Sequence, residues 1–419
     1  MRAYWQAVGE NLRLALDTLR THLFRSLLTV LGVFIGTVTV IAVASIISGL
    51  DAQLVATAEQ YGTRVVWVYK LQMGLPHRLT REERLRKPLT YEDALAIKEQ
   101  CPAVEEVSVA IFREMTEFGL PPSTARYKAR EMAGAQFMGV DANFIALANT
   151  ALAEGRFFTP GDDYHRRDVT VLGANVVENL FQGEDPIGKT VVVDGHPFEV
   201  IGTFHKFKGI LGDNPDDRNV LIPLWTYKKF YAAAKDHFIS ALANRGEMDA
   251  AQDEIRGLLR RRRHVKPADP DNFGMATAES LVSEFRQIIS TVALVMVVIS
   301  SIGLLVGGIG VMDIMLVSVT ERTREIGVRK AVGARQRDIA WQFLLEAVVL
   351  TGSGGLLGIV TGWTLSFLIR VLVPSLPSTV PLWSVVAGFV VATSIGLFFG
   401  LWPALKAARL DPIAALRYE

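Results

Sequence analysis

The chain has 419 residues, half of them apolar, with 44 basic side chains against 43 acidic ones and a net charge of +1. That balance excludes the overall basic field of a nucleic-acid binder. The one cysteine, Cys101, excludes an internal disulfide and a cysteine-built zinc site, and reads as a small buried apolar residue.

In chain order, residues 1–26 come first. Trp5, Val8, Leu12, Leu16, Leu19 and Leu23 recur at three- and four-residue steps, with Arg13, Asp17 and Arg20 between them. This spacing predicts an amphipathic helix lying on the inner membrane surface. Residues 27–50 carry no charge and are long enough, at ~1.5 Å per residue, to cross a ~30 Å hydrocarbon core. The polar stretch before them is too long for a signal-peptide n-region, so this first span reads as an uncleaved anchor.

Residues 51–286 alternate strand and helix signals. Strand-like runs stand at 65–68, 104–112, 239–243 and 273–277. Helical runs stand at 91–100, where Thr90 and Asp93 mark a start, and at 248–262. Two β-α-β passes thus flank a middle richer in strands and turns, with Asp194-Gly195 as a hairpin signal. The expected arrangement is an α/β lobe over about 51–133 plus 230–286, with a β-rich lobe over about 134–229 inserted in it. Residues 183–190 fit the phosphate-loop pattern G-x-x-x-x-G-K-[ST] letter for letter. A phosphate loop needs a strand before it and a helix after it. Here a helical run precedes and a strand follows, so the segment reads as a turn into a strand. Arg260, Arg261, Arg262 and Arg263 close a helix, where basic side chains suit the dipole, and read as a solvated helix end. The seven histidines show no metal-site spacing.

Three more apolar segments follow: span 2 over 287–317, span 3 over 341–372 and span 4 over 382–403, with Pro374, Pro377 and Pro381 turning the chain between the last two. Arginine and lysine gather before span 1, in the 318–340 loop and in the 404–419 tail. The positive-inside rule therefore places both termini and that loop in the cytoplasm, and residues 51–286 outside. Gly303/Gly307, Gly354/Gly358/Gly362 and Gly396/Gly400 lie one turn apart and predict close helix packing. Asp313 and Glu346, near the ends of spans 2 and 3, read as interfacial or locally paired.

Glu321, Arg322, Arg324, Glu325, Gly327, Arg329, Lys330 and Gly333 make the loop a candidate coupling element. Glu325 and Arg329 are spaced i, i+4 in the favourable order, worth ~0.2–0.5 kcal/mol to a helix. Gly327 costs that helix ~1 kcal/mol relative to alanine, which close approach of a partner's surface would explain. Gly333 would supply the turn into the next helix.

Residues 307–334, GGIGVMDIMLVSVTERTREIGVRKAVGA, closely resemble the end of span 2 and the following loop of MacB/FtsX-type ABC permeases. So do 337–339, 343–347 (FLLEA) and 403–419 (PALKAARLDPIAALRYE). In the large domain, 154–158 (EGRFF), 185–189 (DPIGK) and 220–224 (VLIPL) resemble the MacB-type periplasmic core domain. Asp313 departs from the family, which more often has Asn there.

The resemblance implies a multi-pass α-helical membrane protein of the bacterial inner membrane. It would have four transmembrane helices and a large two-lobed α/β extracytoplasmic domain between helices 1 and 2. It implies a second permease copy, identical or related, and a separate cytoplasmic ABC ATPase that holds ATP and Mg. A periplasmic membrane-fusion protein and an outer-membrane channel are further expected partners. No cofactor, metal or catalytic site of its own is expected, and no nucleic acid, only membrane lipid. Many relatives carry the ATPase ahead of span 1; here Met1 leads almost directly into that span, so no fused ATPase is expected. The implied function is export driven by mechanotransmission. The alternatives are lipoprotein extraction and control of an external cell-wall hydrolase. A membrane-anchored enzyme or receptor is disfavoured, because no catalytic constellation stands out.

Overall fold

The computed structural model describes residues 23–60, 62–71, 80–112, 123–148, 151–209, 212–373 and 376–416. The amphipathic stretch expected before residue 23 lies outside them. The chain forms two compact units, one of residues up to 52 with 287 onward and one of 53–286.

Four helices are long and apolar enough to cross a membrane. They are span 1 (Leu23–Gln60), span 2 (Ala278–Glu321), span 3 (Gln336–Leu372) and span 4 (Leu382–Ala408). Each runs past its uncharged stretch, because helix propensity does not stop where hydrophobicity does. Span 3 ends and span 4 begins on either side of the three prolines, and Pro381 precedes span 4, where its missing N–H leaves no bond unmade.

Glycines set how closely these helices cross. A methyl group at Gly32 would lie 2.6 Å from the Gly307 Cα, so spans 1 and 2 meet backbone to backbone. On span 3, methyl groups at Gly354, Gly358 and Gly362 would press on Val30, Thr37 and Ile41 of span 1 at 3.1, 2.8 and 3.0 Å. Gly396 and Gly400 of span 4 face Thr351 and Ala347 of span 3. Gly303 differs: a methyl group there would meet nothing within 4 Å. Gly32 and Gly36, themselves one turn apart, are the span 1 partners that the sequence reading passed over. Outside the glycine seams, Ser45, Ser366 and Ser378 close a buried ring of hydroxyls at 2.6–2.7 Å. Each hydroxyl can donate one bond and accept one, tying span 1 to span 3 and to the turn before span 4.

The large domain holds strands β1 Val65–Tyr69, β2 Val104–Phe112, β3 Ser123–Tyr127, β4 Arg130–Val140, β5 Leu152–Gly155, β6 Val169–Leu172, β7 Thr190–Val193, β8 His196–Phe204, β9 Lys208–Gly209, β10 Gly212–Asp213, β11 Asn219–Pro223, β12 His237–Ala243 and β13 Gly274–Thr277. The two β-α-β passes pair antiparallel in the order β2-β12-β1-β13. Ala94 and Ile97 of helix Tyr91–Gln100, with Ala251, Ile255 and Leu259 of helix Met248–Arg262, pack on this sheet against Val66, Val109 and Ile239. Thr90 and Asp93 form the capping box that starts the first of these helices.

The middle closes on itself. β4 pairs with β3, β3 with β7, β7 with β8, β8 with β6, β6 with β11, and β11 returns to β4. Closure leaves these six strands without a free edge. The ring takes in β3, so the β-rich part begins by Ser123, ahead of the expected boundary at 134. Asp194 and Gly195, both at positive φ, make the turn between β7 and β8.

Candidate coupling site

The loop between spans 2 and 3 folds into a helix, Thr323–Ala331, with Arg322 at its N-terminal cap position. The Thr323 hydroxyl donates back to Val319 and Thr320 carbonyls at 3.0 and 2.8 Å, continuing span 2 into the loop. The buried side of the helix is Thr323, Ile326 and Gly327. Ile326 joins one apolar cluster with Met315 and Val319 of span 2, Phe343 and Ala347 of span 3, and Ala404 and Ala407 of span 4. The loop helix is therefore fastened to the ends of three spans at once.

Polar contacts fix its rotation. Arg322 reaches Glu346 of span 3 at 3.5 Å, the local pairing expected for that glutamate. Arg329 donates to Gln342 at 2.7 Å and to Glu325 at 2.5 Å, the latter the predicted i, i+4 pair. Gly333 takes φ +108°, its N–H donating to the Lys330 carbonyl while that of Ala334 donates to Arg329. That is the two-bond ending a left-handed glycine permits, and it frees Arg335 to start span 3, where its N–H meets Asp338 at 3.1 Å. Glu321, Arg324 and Glu325 lie exposed, and Asp313 is exposed on span 2.

Gly327 departs from its expectation. A methyl group there would sit 2.8 Å from the Ala415 Cβ, so the close approach is made by this chain's own tail rather than by a partner. Beside it, Lys330 Nζ donates to the Leu410 carbonyl at 2.6 Å. A bulky residue at 327 would displace the tail before it reached any other chain. Spacing within the loop carried no sign of this contact, because Ala415 is some ninety positions away.

Two features of the large domain resolve as architecture. The phosphate-loop lookalike follows helix Ala174–Phe181 and enters β7, and Lys189 lies 3.6 Å from Glu184. The four arginines divide: Arg261 and Arg262 lie exposed as a helix end would, whereas Arg260 and Arg263 turn back onto the domain. Arg260 pairs with Asp271 at 2.5 Å and donates to the Lys266 and Asp269 carbonyls. Arg262 pairs with Asp93 at 2.8 Å, and buried Arg263 donates to the Lys87 and Pro88 carbonyls and to Asn272. Guanidinium forks suit such multiple acceptors, and here Arg260 and Arg263 hold loops while Arg262 ties its helix to Tyr91–Gln100. Among the described residues, no group of three His, Cys, Asp or Glu side chains could hold a metal ion.

Four apolar spans with a large α/β domain between the first two define a polytopic permease-type membrane protein. Residues 26–258 match the MacB-like periplasmic core domain, and residues 297–412 match the FtsX-like permease C-terminal domain. The macrolide export ATP-binding/permease protein MacB of Azoarcus sp. (strain BH72) is 35% identical over 413 residues, covering 98% of this chain and 60% of that protein. Its counterpart in Wolinella succinogenes is 34% identical over 412 residues, covering 98% and 61%. The chain thus spans about three-fifths of the length of these relatives. A solved periplasmic region of MacB from Actinobacillus actinomycetemcomitans has a TM-score of 0.44 at 17% identity, over 56% of this chain and 97% of that one. The chain belongs to the MacB-like ABC permease family, and is a multi-pass inner-membrane protein.

Proposed function

We propose that this chain is the permease subunit of an ABC transporter, coupling ATP hydrolysis by a separate cytoplasmic ATPase to movement of its large extracytoplasmic domain. The observation that carries the reading is the seating of Ile326 in one cluster with spans 2, 3 and 4. A force on the loop helix reaches three spans together, because a close-packed cluster transmits displacement rather than absorbing it. Spans 1 and 2 lead directly into the large domain, so work done at the loop has a covalent path outward. The arginine and lysine distribution supports a loop and tail on the ATP side. A second copy completes the assembly, and ATP and Mg bind in the partner ATPase. A membrane-fusion protein and an outer-membrane channel would extend the export route. The relatives are named for macrolide export, which makes macrolides the first cargo to test.

Val328 is exposed on the loop helix, and its apolar side chain makes none of the hydrogen bonds that hold that helix. Val328→Glu should insert normally and lower ATP turnover of the assembled complex by about tenfold or more, the cost of a charge buried in an interface. Wild-type turnover in a correctly inserted variant would remove the coupling assignment.

A further inference from the structure

The tail after span 4 is built as though it belonged to the loop. Asp411 accepts the Ile413 N–H at 3.0 Å and Pro412 opens the helix Pro412–Leu416, an ordinary helix start. Five residues do not hold a helix alone in water. This one is held by the Lys330 bond to Leu410 and by Ala415 seated over Gly327. Gly327 and Lys330 are thereby accounted for within the chain.

Both short segments still leave apolar side chains exposed. Val328, Val332, Ile413 and Leu416 are 47, 85, 68 and 45% exposed. Exposed Arg324, Glu325, Arg335 and Arg409 lie close to them in the chain. Such charged flanks keep both short helices from lying deep in the hydrocarbon core. An exposed apolar group of this kind marks an interaction surface.

We infer that the loop helix and the tail helix, joined at the Gly327–Ala415 crossing, form one composite docking face for the ATP-binding subunit. The inference rests on the coupling reading above and extends it to a second segment. Three observations select the occupant. Loop and tail share the arginine- and lysine-rich side of the membrane. The relatives that contain nearly all of this sequence are ATP-binding/permease proteins of which it spans three-fifths. Exposed apolar side chains interspersed along the chain with charges of both signs have the composition of a protein interface.

The test places a photo-crosslinking amino acid at Ile413, at Val332 and, as a control in the large domain, at exposed Leu95, in the full-length chain in native membranes. Positions 413 and 332 should both give an adduct with one polypeptide, which mass spectrometry should show to carry a nucleotide-binding motif, and position 95 should not. An adduct at 332 alone overturns the composite face and leaves loop docking standing. Adducts at neither position overturn both. An adduct of this chain with itself at 413 assigns the tail to a second copy and overturns the inference. In the purified complex, Ile413→Glu should weaken retention of the ATP-binding subunit about tenfold or more, as a charge at an interface centre does. Retention equal to wild type in that variant overturns the tail's role.

Discussion

At the scale of single residues, Asp141 is a partly buried carboxyl whose ionisation its surroundings oppose. It follows β4 and accepts the Ser108 hydroxyl at 2.7 Å and the Val109 N–H at 2.8 Å. Burial pushes it up to about 6, and nearby Asp163 adds to the rise, while the two hydrogen bonds act against it. Burial raises the Tyr91 hydroxyl, and the same two carboxylates add to the rise. Because the folded state favours neutral Asp141, its stabilisation is full below the ordinary value of 3.8 and is lost as pH rises to about 6. Asp141→Asn copies the neutral form at every pH. Thermal unfolding of the full chain should therefore show wild type losing ground to Asp141→Asn between pH 4 and 7. The loss should be on the order of 2 kcal/mol, with no further change above pH 7. A constant difference across that range would show that the carboxyl titrates at its ordinary value. The serine ring is the uncharged counterpart: three hydroxyls satisfy one another where unpaired ones would each cost ~1–3 kcal/mol.

At the scale of elements, the glycines divide into two kinds that look identical in the sequence. Gly307 lies against the Gly32 backbone, and Gly303, one turn earlier, has open space. Gly307→Ala must push spans 1 and 2 apart, and should destabilise by roughly 1–3 kcal/mol, the usual cost of overpacking. Gly303→Ala should be neutral or stabilising by up to ~1 kcal/mol, through helix propensity alone. Melting temperatures of the two variants in one detergent would show this ordering; equal shifts would mean that the seam is not where the backbone places it. The loop and tail helices teach the same lesson. Each is too short or too glycine-weakened to persist alone: the tail helix is kept by the loop helix, and the loop helix by the ends of spans 2, 3 and 4.

For the whole molecule, orientation is the property on which the coupling reading depends. Tyr164 in the large domain and Arg324 in the loop are both exposed, and suit single-cysteine labelling. Native Cys101 need not be removed, since it is buried and its thiol is pushed up to about 11 by that burial. An impermeant maleimide should label Tyr164→Cys in intact spheroplasts and Arg324→Cys only after permeabilisation. Labelling of both from outside would reverse the assignment of sides and with it the proposed function.

By itself the sequence determined the four spans, the large domain between the first two, and the helical loop with its Glu325–Arg329 pair. These follow from local quantities: runs of uncharged residues, prolines between runs, and side-chain spacing on one helix. The Gly333 turn and the strand after the phosphate-loop lookalike were legible for the same reason, since turn chemistry is written within a few residues. Only the tertiary structure decided that β3 joins the closed ring, that Gly307 is packed and Gly303 is not, that two of four clustered arginines hold loops, and that Gly327 answers to Ala415. Each of these is a contact between positions remote in the chain. A sequence records that a residue is small, charged or apolar, but what it faces is set by how distant segments close upon one another.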